Sequence, residues 1–168
     1  MSKTGGEALV ESIKAKGVEV VFGIPGVQLY HLMDAFYKNP EIKFIVTRHE
    51  QGAAYMADGY ARASGKEGVC VVVPGPGLLN ASAAIGTAYS ASSPVLVLTG
   101  QINKDFIGHE GGELHEIHEQ LDVMKPISSR RHQRPCAYLN DIRFAANGEV
   151  WLCGCVISEL PGNEDLKI

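Results

Sequence analysis

Several features that mark common functional classes are scarce or missing in this sequence of 168 residues. Only four cysteines occur, Cys70, Cys136, Cys153 and Cys155, and Cys70 lies inside an apolar, strand-like run. That pattern is not a disulfide framework, and it predicts a reducing, cytoplasmic setting. No uncharged apolar run is long enough to span a bilayer, and no apolar core of a signal peptide follows the first residues. We therefore expect no membrane partner.

Positive charge is scarce as well. The chain has 15 lysines and arginines against 19 acidic residues, a net charge of −4, so nucleic acid is not a predicted partner. The motifs Gly-x-Ser-x-Gly and Gly-Lys-Ser/Thr are both missing, which argues against a nucleophilic hydrolase and against a P-loop protein. The apolar fraction of 45% is that of an ordinary globular domain with a real core.

The sequence does contain a regular alternation of strands and helices. Predicted strands begin at Val18, Lys43, Val69 and Val95, a spacing of roughly 25 residues that is typical of repeated βα units. Their nearly continuous apolar character indicates strands buried on both faces. The predicted fold is a doubly wound, mostly parallel α/β sheet flanked by helices, a Rossmann-like three-layer domain.

The regular βα alternation of the predicted elements is lost near Ile127. Thr4 and Glu7 predict a capping box at the start of the first helix. We predict one domain over residues 1–127 and an unassigned tail over 128–168, in which a non-native continuation from a shifted reading frame is one hypothesis. In chain order the predicted elements are a helix over 4–16, a strand over 18–22, a helix over 28–37, a strand over 43–46, a helix over 50–65, a strand over 68–73, a helix over 78–90, a strand over 95–98 and, in the tail, a strand-like run over 149–157.

Glu50 lies at the junction between the second predicted strand and the helix that follows it. In open α/β sheets, ligands bind at the carboxyl ends of the strands, which is where this carboxylate falls. A carboxylate also favours a helix start by interacting with the helix dipole, so position alone leaves a structural role for Glu50 open. A second turn at this edge, Pro74-Gly75-Pro76-Gly77, has two prolines that cannot donate backbone hydrogen bonds. The turn therefore fits a flat apolar or aromatic ring better than a phosphate, with a simple tight connection as the alternative.

Two groups of histidines and cysteines raise the question of a metal site. His109, His115 and His118 alternate with glutamates, but only His115 and His118 have helical spacing, so a solvated polar loop is the preferred interpretation and no metal ligand is predicted. A second group could in principle bind zinc, although its Cys-x-Cys spacing is one residue shorter than a zinc knuckle. Its members are His132, Cys136, Cys153 and Cys155.

Four stretches taken together resemble one known family. They are Phe22–Gly26, the segment from Arg48 to Arg62, Pro74–Asn80, and Pro94–Gln101. Residues 4 to 127 resemble the N-terminal, pyrimidine-binding domain of thiamine diphosphate-dependent enzymes, in the acetolactate synthase-like (large subunit) branch. The resemblance implies thiamine diphosphate as cofactor and a 2-oxo acid as substrate. FAD is not implied, because it binds such synthases mainly through a middle domain that has no counterpart here.

The resemblance also assigns roles to particular residues. Glu50 matches the glutamate that hydrogen-bonds N1′ of the aminopyrimidine and favours the imino tautomer that deprotonates thiazolium C2. The other cofactor-binding positions that it implies are Pro25, Gly26, Gln28, Pro76 and Asn80. In some relatives a catalytic histidine stands where Gln28 is. Leu114 and His115 fall near a substrate-side Phe-Gln pair of the synthases.

The diphosphate half of such a site has no counterpart in this sequence. In the family, a Gly-Asp-Gly segment holds the diphosphate through Mg²⁺, and no Gly-Asp-Gly occurs here. The resemblance therefore predicts a half-site that pairs within a homo-oligomer or with a separate diphosphate-binding chain. The alternative is a catalytically inactive fragment or an assembly module. Either way, an unpaired domain would expose an apolar face, and self-association is expected.

Overall fold

The computed structural model describes residues 4–128 together with two short strands in the tail, and the elements follow the predicted βα order. In chain order they are α1 (Gly5–Ala15), β1 (Val20–Gly23), α2 (Tyr30–Lys38), β2 (Lys43–Val46), α3 (Glu50–Ser64), β3 (Gly68–Val72), α4 (Pro76–Ala91), β4 (Val95–Thr99), α5 (Gln120–Ser128), β5 (Arg143–Phe144) and β6 (Val150–Trp151). A single turn of 3₁₀ helix, Val27–Leu29, precedes α2.

The main sheet has four parallel strands in the order β2-β1-β3-β4. The predicted doubly wound parallel α/β fold is confirmed. The chain moves outward to β2 after β1 and then returns to the other side of β1 for β3, so the strand order reverses between β1 and β3. Such a reversal opens a crevice at the carboxyl ends of the two strands, where α/β proteins bind ligands.

Each face of the sheet has its own core. On one face, α1 and α2 contribute larger side chains such as Leu9, Ile13 and Phe36. On the other face, α3 and α4 contribute mostly alanines, which include Ala53 and Ala84. Small side chains let helices approach closely, because backbones can then come within van der Waals contact. The contact between α3 and β3 is of this kind: a Cβ on Gly68 would lie 2.0 Å from the carbonyl oxygen of Ala57.

The capping box predicted for α1 is present. The backbone N–H of Glu7 donates to Thr4 Oγ1 at 3.2 Å, and the backbone N–H of Thr4 donates to Glu7 Oε2 at 2.9 Å. The Glu7 carboxylate accepts hydrogen bonds from the Thr4 backbone N–H and, at 3.1 Å, from Thr4 Oγ1, and these two bonds, the backbone one first, hold the pKa of the Glu7 carboxyl below its ordinary value. The reciprocal pairing satisfies two backbone donors at the exposed helix end.

Over residues 4–128, three elements begin two residues away from their predicted starts, and each difference has a local cause. β1 begins at Val20 rather than Val18, because the Val18 N–H still donates to Ile13 O at the end of α1. The second helix begins at Tyr30 rather than Gln28, after the 3₁₀ turn. α4 begins at Pro76 rather than Leu78, since proline suits a first helical position that needs no N–H donor.

The tail predictions are only partly within the described chain. β5 and β6 pair antiparallel, and β6 falls inside the strand-like run predicted over 149–157. The hypothetical zinc ligands His132, Cys136, Cys153 and Cys155 lie outside the described residues. None of the helices described is long and apolar enough to cross a membrane.

Candidate functional site

The loops that follow the four parallel strands of the main sheet all lie at its carboxyl edge. Pro25 and Gly26 follow β1, Glu50 follows β2, the Pro74–Gly77 turn follows β3, and Gly100 follows β4. The β1 and β3 loops flank the point where the strand order reverses. The topology therefore brings the cofactor-binding positions implied by the resemblance to one edge of the sheet.

Glu50 is the first residue of α3, and its side chain is hydrogen-bonded to Asn80. His49 caps the helix, because its Nδ1 accepts the backbone N–H of Gln51 at 3.2 Å. Asn80, from the second turn of α4, donates from Nδ2 to Glu50 Oε2 at 3.0 Å. Over residues 4–128, no hydrogen bond involves the other carboxylate oxygen, Oε1. The half-buried carboxylate thus has one oxygen oriented by Asn80 and one available to a ligand.

Beside Glu50, two glycines contact one valine. A Cβ on Gly26 would lie 2.2 Å from Val73 Cγ1, and a Cβ on Gly77 would lie 2.6 Å from Val73 Cγ2. The Gly77 position is also 3.8 Å from Glu50 Cγ. Gly26 and Gly77 therefore pack directly on the Val73 side chain, and we call these three residues, which lie next to the Glu50 carboxylate, the glycine floor.

A second group at this edge joins Gln28 to Leu114 and His115, residues that are more than eighty positions away in sequence. Gln28 Nε2 donates to Leu114 O at 3.0 Å, and Gln28 Oε1 lies 3.0 Å from His115 Nδ1. His115 has a positive φ of 71°, a conformation that non-glycine residues adopt rarely and at a cost. The structure thus brings together three of the residues that the resemblance implicates.

Gln120 was not identified from the sequence, yet its side chain connects two loops of the site by hydrogen bonds. Its side chain is 3% exposed, Oε1 accepts the Gly75 N–H at 2.7 Å, and Nε2 donates to Gly100 O at 3.3 Å. The segment before it also packs on Gly75, where a Cβ would lie 2.3 Å from His115 O. Gly75 has a φ of 60°, so a glycine is favoured there on both conformational and steric grounds.

The histidine and glutamate loop forms no metal cluster within residues 4–128, where no group of three potential ligands is found. His118 Nδ1 lies 3.4 Å from Glu110 Oε1, and both side chains are largely exposed. Under this loop lies a cavity of about 440 Å³, lined by residues that include Ile102, Ile107 and Gln120. None of the residues assigned by the resemblance lines that cavity, so it is distinct from the glycine floor.

Cys70 is the free cysteine that the structure describes, and it has no catalytic character. Its side chain is fully buried in the middle of β3, and this burial raises the pKa of the thiol to about 12. A nucleophilic cysteine needs an accessible thiolate with a lowered pKa. The geometry agrees with the sequence, which offered no nucleophile and base pair.

Comparisons with known proteins give one matching family and several relatives. The chain matches the family described as "Thiamine pyrophosphate enzyme, N-terminal TPP binding domain" over residues 3–125. It is 46% identical, over 128 residues, to a Pseudomonas aeruginosa protein named "Probable 2-ketoarginine decarboxylase", and this match covers 75% of the chain and 22% of the relative.

Two further relatives carry a different name. The acetolactate synthase large subunit of Haemophilus influenzae is 44% identical over 124 residues, which cover 74% of this chain and 21% of the relative. The acetolactate synthase large subunit of Buchnera aphidicola is 34% identical over 163 residues, 94% of this chain and 28% of the relative. The chain spans less than a third of the length of each of these relatives.

Proposed function

The chain belongs to the thiamine pyrophosphate enzyme family, through that family's N-terminal TPP binding domain, and we propose that it binds thiamine diphosphate with Glu50 as the activating group. The observation that carries this proposal is the Glu50 carboxylate beside the glycine floor, with Oε2 held by Asn80 and Oε1 available. The proposed substrate is a 2-oxo acid and the proposed setting is the cytoplasm. The names of the relatives, an acetolactate synthase and a 2-ketoarginine decarboxylase, support this substrate class.

The residues at this edge fit one half of the cofactor. We place a flat aminopyrimidine ring at the margin of the glycine floor, against the half-buried backbone of Gly26, since Val73 fills the space in which side chains of Gly26 and Gly77 would lie. Glu50 supplies a carboxyl group at the margin of that floor. None of the residues that the resemblance assigns to the cofactor is a lysine or arginine, and Glu50, the single carboxylate among them, is assigned to the aminopyrimidine. The diphosphate and its Mg²⁺ are therefore proposed to bind a second domain.

Bound thiamine diphosphate would supply a carbanion-forming thiazolium ring that acts as an electron sink for 2-oxo acids. The residues of this chain hold and activate it. Glu50 shares a proton with the aminopyrimidine through Oε1, and Asn80 keeps the carboxylate oriented by its hydrogen bond to Oε2. Pro25, Gly26 and Pro76 border the ring, and Gln28, Leu114 and His115 form the proposed substrate side of the same edge.

A partner is proposed because apolar side chains are exposed on the two helices that begin at this edge. Tyr55 and Met56 of α3 and Leu79 of α4 are each 40–43% exposed. Leu79 is one residue from Asn80, and thus next to the proposed site. A diphosphate-binding domain that covers these residues would complete the site, either in a homo-oligomer or as a separate chain.

The test is calorimetric titration of thiamine diphosphate and Mg²⁺ into the chain, alone and with a separately expressed diphosphate-binding domain of a related enzyme. We expect binding and 2-oxo acid turnover only with the added domain. Glu50→Gln should lower kcat by about 10²–10⁴-fold, because it removes the acid-base group. Glu67→Gln is the matched control, since Glu67 precedes β3 at the opposite edge of the sheet, and it should leave turnover unchanged.

Two results would count against the proposal. Turnover that survives Glu50→Gln would remove the role of the carboxylate. A folded chain that neither binds the cofactor nor turns over substrate, with or without the added domain, would favour the alternative of an inactive fragment or assembly module.

A further inference from the structure

The hydrogen bonds around Gln28 determine which nitrogen of His115 carries a proton. Gln28 Nε2 faces the carbonyl oxygen of Leu114 at 3.0 Å. A carbonyl oxygen can only accept, so the amide atom that faces it must be the NH₂ group. The other amide atom, Oε1, is then the one that lies 3.0 Å from His115 Nδ1.

An amide oxygen can only accept a hydrogen bond, and Nδ1 must therefore donate to it. In a neutral imidazole that carries its proton on Nδ1, Nε2 has a free lone pair. Within residues 4–128 no hydrogen bond is made by His115 Nε2. We infer that Gln28 is a positioning residue that holds His115 in the Nδ1–H tautomer, so that Nε2 is the atom that accepts or releases a proton at the Glu50 edge.

The backbone around His115 supports a fixed ring orientation. His115 is half-buried and has a φ of 71°, and its carbonyl packs against Gly75, where no side chain would fit. Gln120, five residues on, anchors the same segment to Gly75 and Gly100. A strained, well-anchored conformation of this kind is found where a side chain must be held in one orientation.

The role of Nε2 in proton transfer rests on the proposed function, whereas the tautomer itself does not. When a 2-oxo acid oxygen gains negative charge, imidazolium Nε2–H can give it the proton, and the ring returns to the neutral Nδ1–H form. In both charge states Nδ1 keeps its proton and its bond to Gln28. The amide of Gln28 thus directs the exchangeable proton to the other side of the ring.

His49 provides an internal reference, because its hydrogen bonding requires the opposite tautomer. Its Nδ1 accepts the backbone N–H of Gln51 at 3.2 Å, and a neutral ring with an accepting Nδ1 carries its proton on Nε2. The same chain therefore holds two histidines at this edge that should differ in tautomer.

The test is long-range ¹H–¹⁵N correlation NMR of the chain with ¹⁵N-labelled histidine, at a pH above which the ring signals no longer change, so that both imidazoles are neutral. His115→Gln and His49→Gln identify the two sets of signals. We expect His115 to show a protonated-type Nδ1 and an unprotonated-type Nε2, and His49 to show the reverse. An Nε2–H form of His115, or signals averaged as in free imidazole, would overturn the inference.

Variants of Gln28 separate a positioning role from a packing role. Gln28→Leu removes the acceptor, so the protonated-type Nδ1 signal of His115 should be lost to averaging while the His49 signals stay in place. Gln28→Glu keeps an acceptor for Nδ1–H and should retain the signal. Gln51→Leu is the matched control, since only the backbone N–H of Gln51 binds His49, and it should change neither ring. An unaltered His115 in Gln28→Leu would refute the role of the amide.

The outcome is independent of cofactor binding, so the two proposals can fail separately. An Nδ1–H His115 in a chain that binds no thiamine diphosphate, even with the added domain, would leave the tautomer assignment and remove the proposed function. An Nε2–H His115 in a chain that binds the cofactor would remove the tautomer assignment and leave the proposed function.

Discussion

Gly77→Ala should destabilise the domain, because Val73 already fills the space that the new methyl group needs. The added Cβ would lie 2.6 Å from Val73 Cγ2, where ordinary contacts are at least 3.4 Å. Val73 is 9% exposed, and a β-branched side chain has few alternative rotamers, so it cannot simply turn away. Overpacking of this kind costs about 1–3 kcal/mol. The better helix propensity of alanine offsets up to about 1 kcal/mol of this cost, so the expected net loss is centred on about 1 kcal/mol, within a range of ~0–2 kcal/mol.

A double-mutant cycle assigns that loss to the contact with Val73. Val73→Ala removes two buried carbons and should cost about 2 kcal/mol by itself, at ~0.8 kcal/mol for each carbon plus a small cavity term. It also removes the atom that clashes, so the cost of the double variant should be less than the sum of the single costs by about 1–2 kcal/mol. The measurement is the free energy of unfolding in urea for the four chains of the cycle.

Gly59→Ala is the matched control for the glycine substitution. Gly59 lies within α3, and no atom outside its own helix turns and chain neighbours is within 4 Å of an added Cβ. The same chemical change should therefore stabilise the domain by about 0.5–1 kcal/mol. Equal stabilisation by Gly77→Ala, or a coupling of zero with Val73→Ala, would refute the close packing of the glycine floor.

Three further changes test the cap, an ion pair and the buried thiol. Thr4→Ala should cost about 1 kcal/mol in urea unfolding, because α1 loses the capping box with Glu7. Arg62→Ala should cost about 1–2 kcal/mol, because it leaves the 5% exposed Asp58 without its two hydrogen bonds of 2.8 and 2.9 Å. A loss below ~0.3 kcal/mol would show that solvent screens this pair. Burial in the folded state raises the pKa of the Cys70 thiol to about 12. The stability that the protonated thiol contributes is therefore fully present below the unfolded pKa of ~8.5, and it falls by up to ~1.4 kcal/mol per pH unit above that pKa. Cys70→Ala should lack that fall between pH ~8.5 and 12, and an identical pH dependence would contradict the burial.

The parts of the fold that could be predicted depend on local patterns. The four parallel strands were identifiable because each is an apolar run between a helix and a turn, and the capping box because both of its partners lie within one helical turn. The start of β1 was misplaced by two residues, since Val18 is as apolar as Val20. The two valines differ in that the Val18 N–H donates to Ile13 O at the end of α1. An apolar pattern does not show where a helix ends.

In the site, too, the residues that follow apolar runs could be predicted, and the contacts that depend on packing could not. Glu50 and the Pro74–Gly77 turn follow apolar runs, so their place at the ligand edge follows from the parallel topology. The contact between Asn80 and Glu50 depends instead on how closely α4 packs beside α3, and that spacing is a property of the alanines between the helices rather than of either polar residue.

Gln120 is the clearest case of a residue that sequence patterns cannot identify. A glutamine at a helix start carries no signal of burial, and its partners are backbone atoms 45 and 20 residues away. Backbone atoms are the same in every residue, so no feature of Gly75 or Gly100 indicates that a side-chain amide will bind them. The consequence for function is direct, because Gln120 ties the segment with His115 to the loops after β3 and β4. Residues assigned from sequence alone would include the groups that act on a ligand and omit the one that holds them at the same edge.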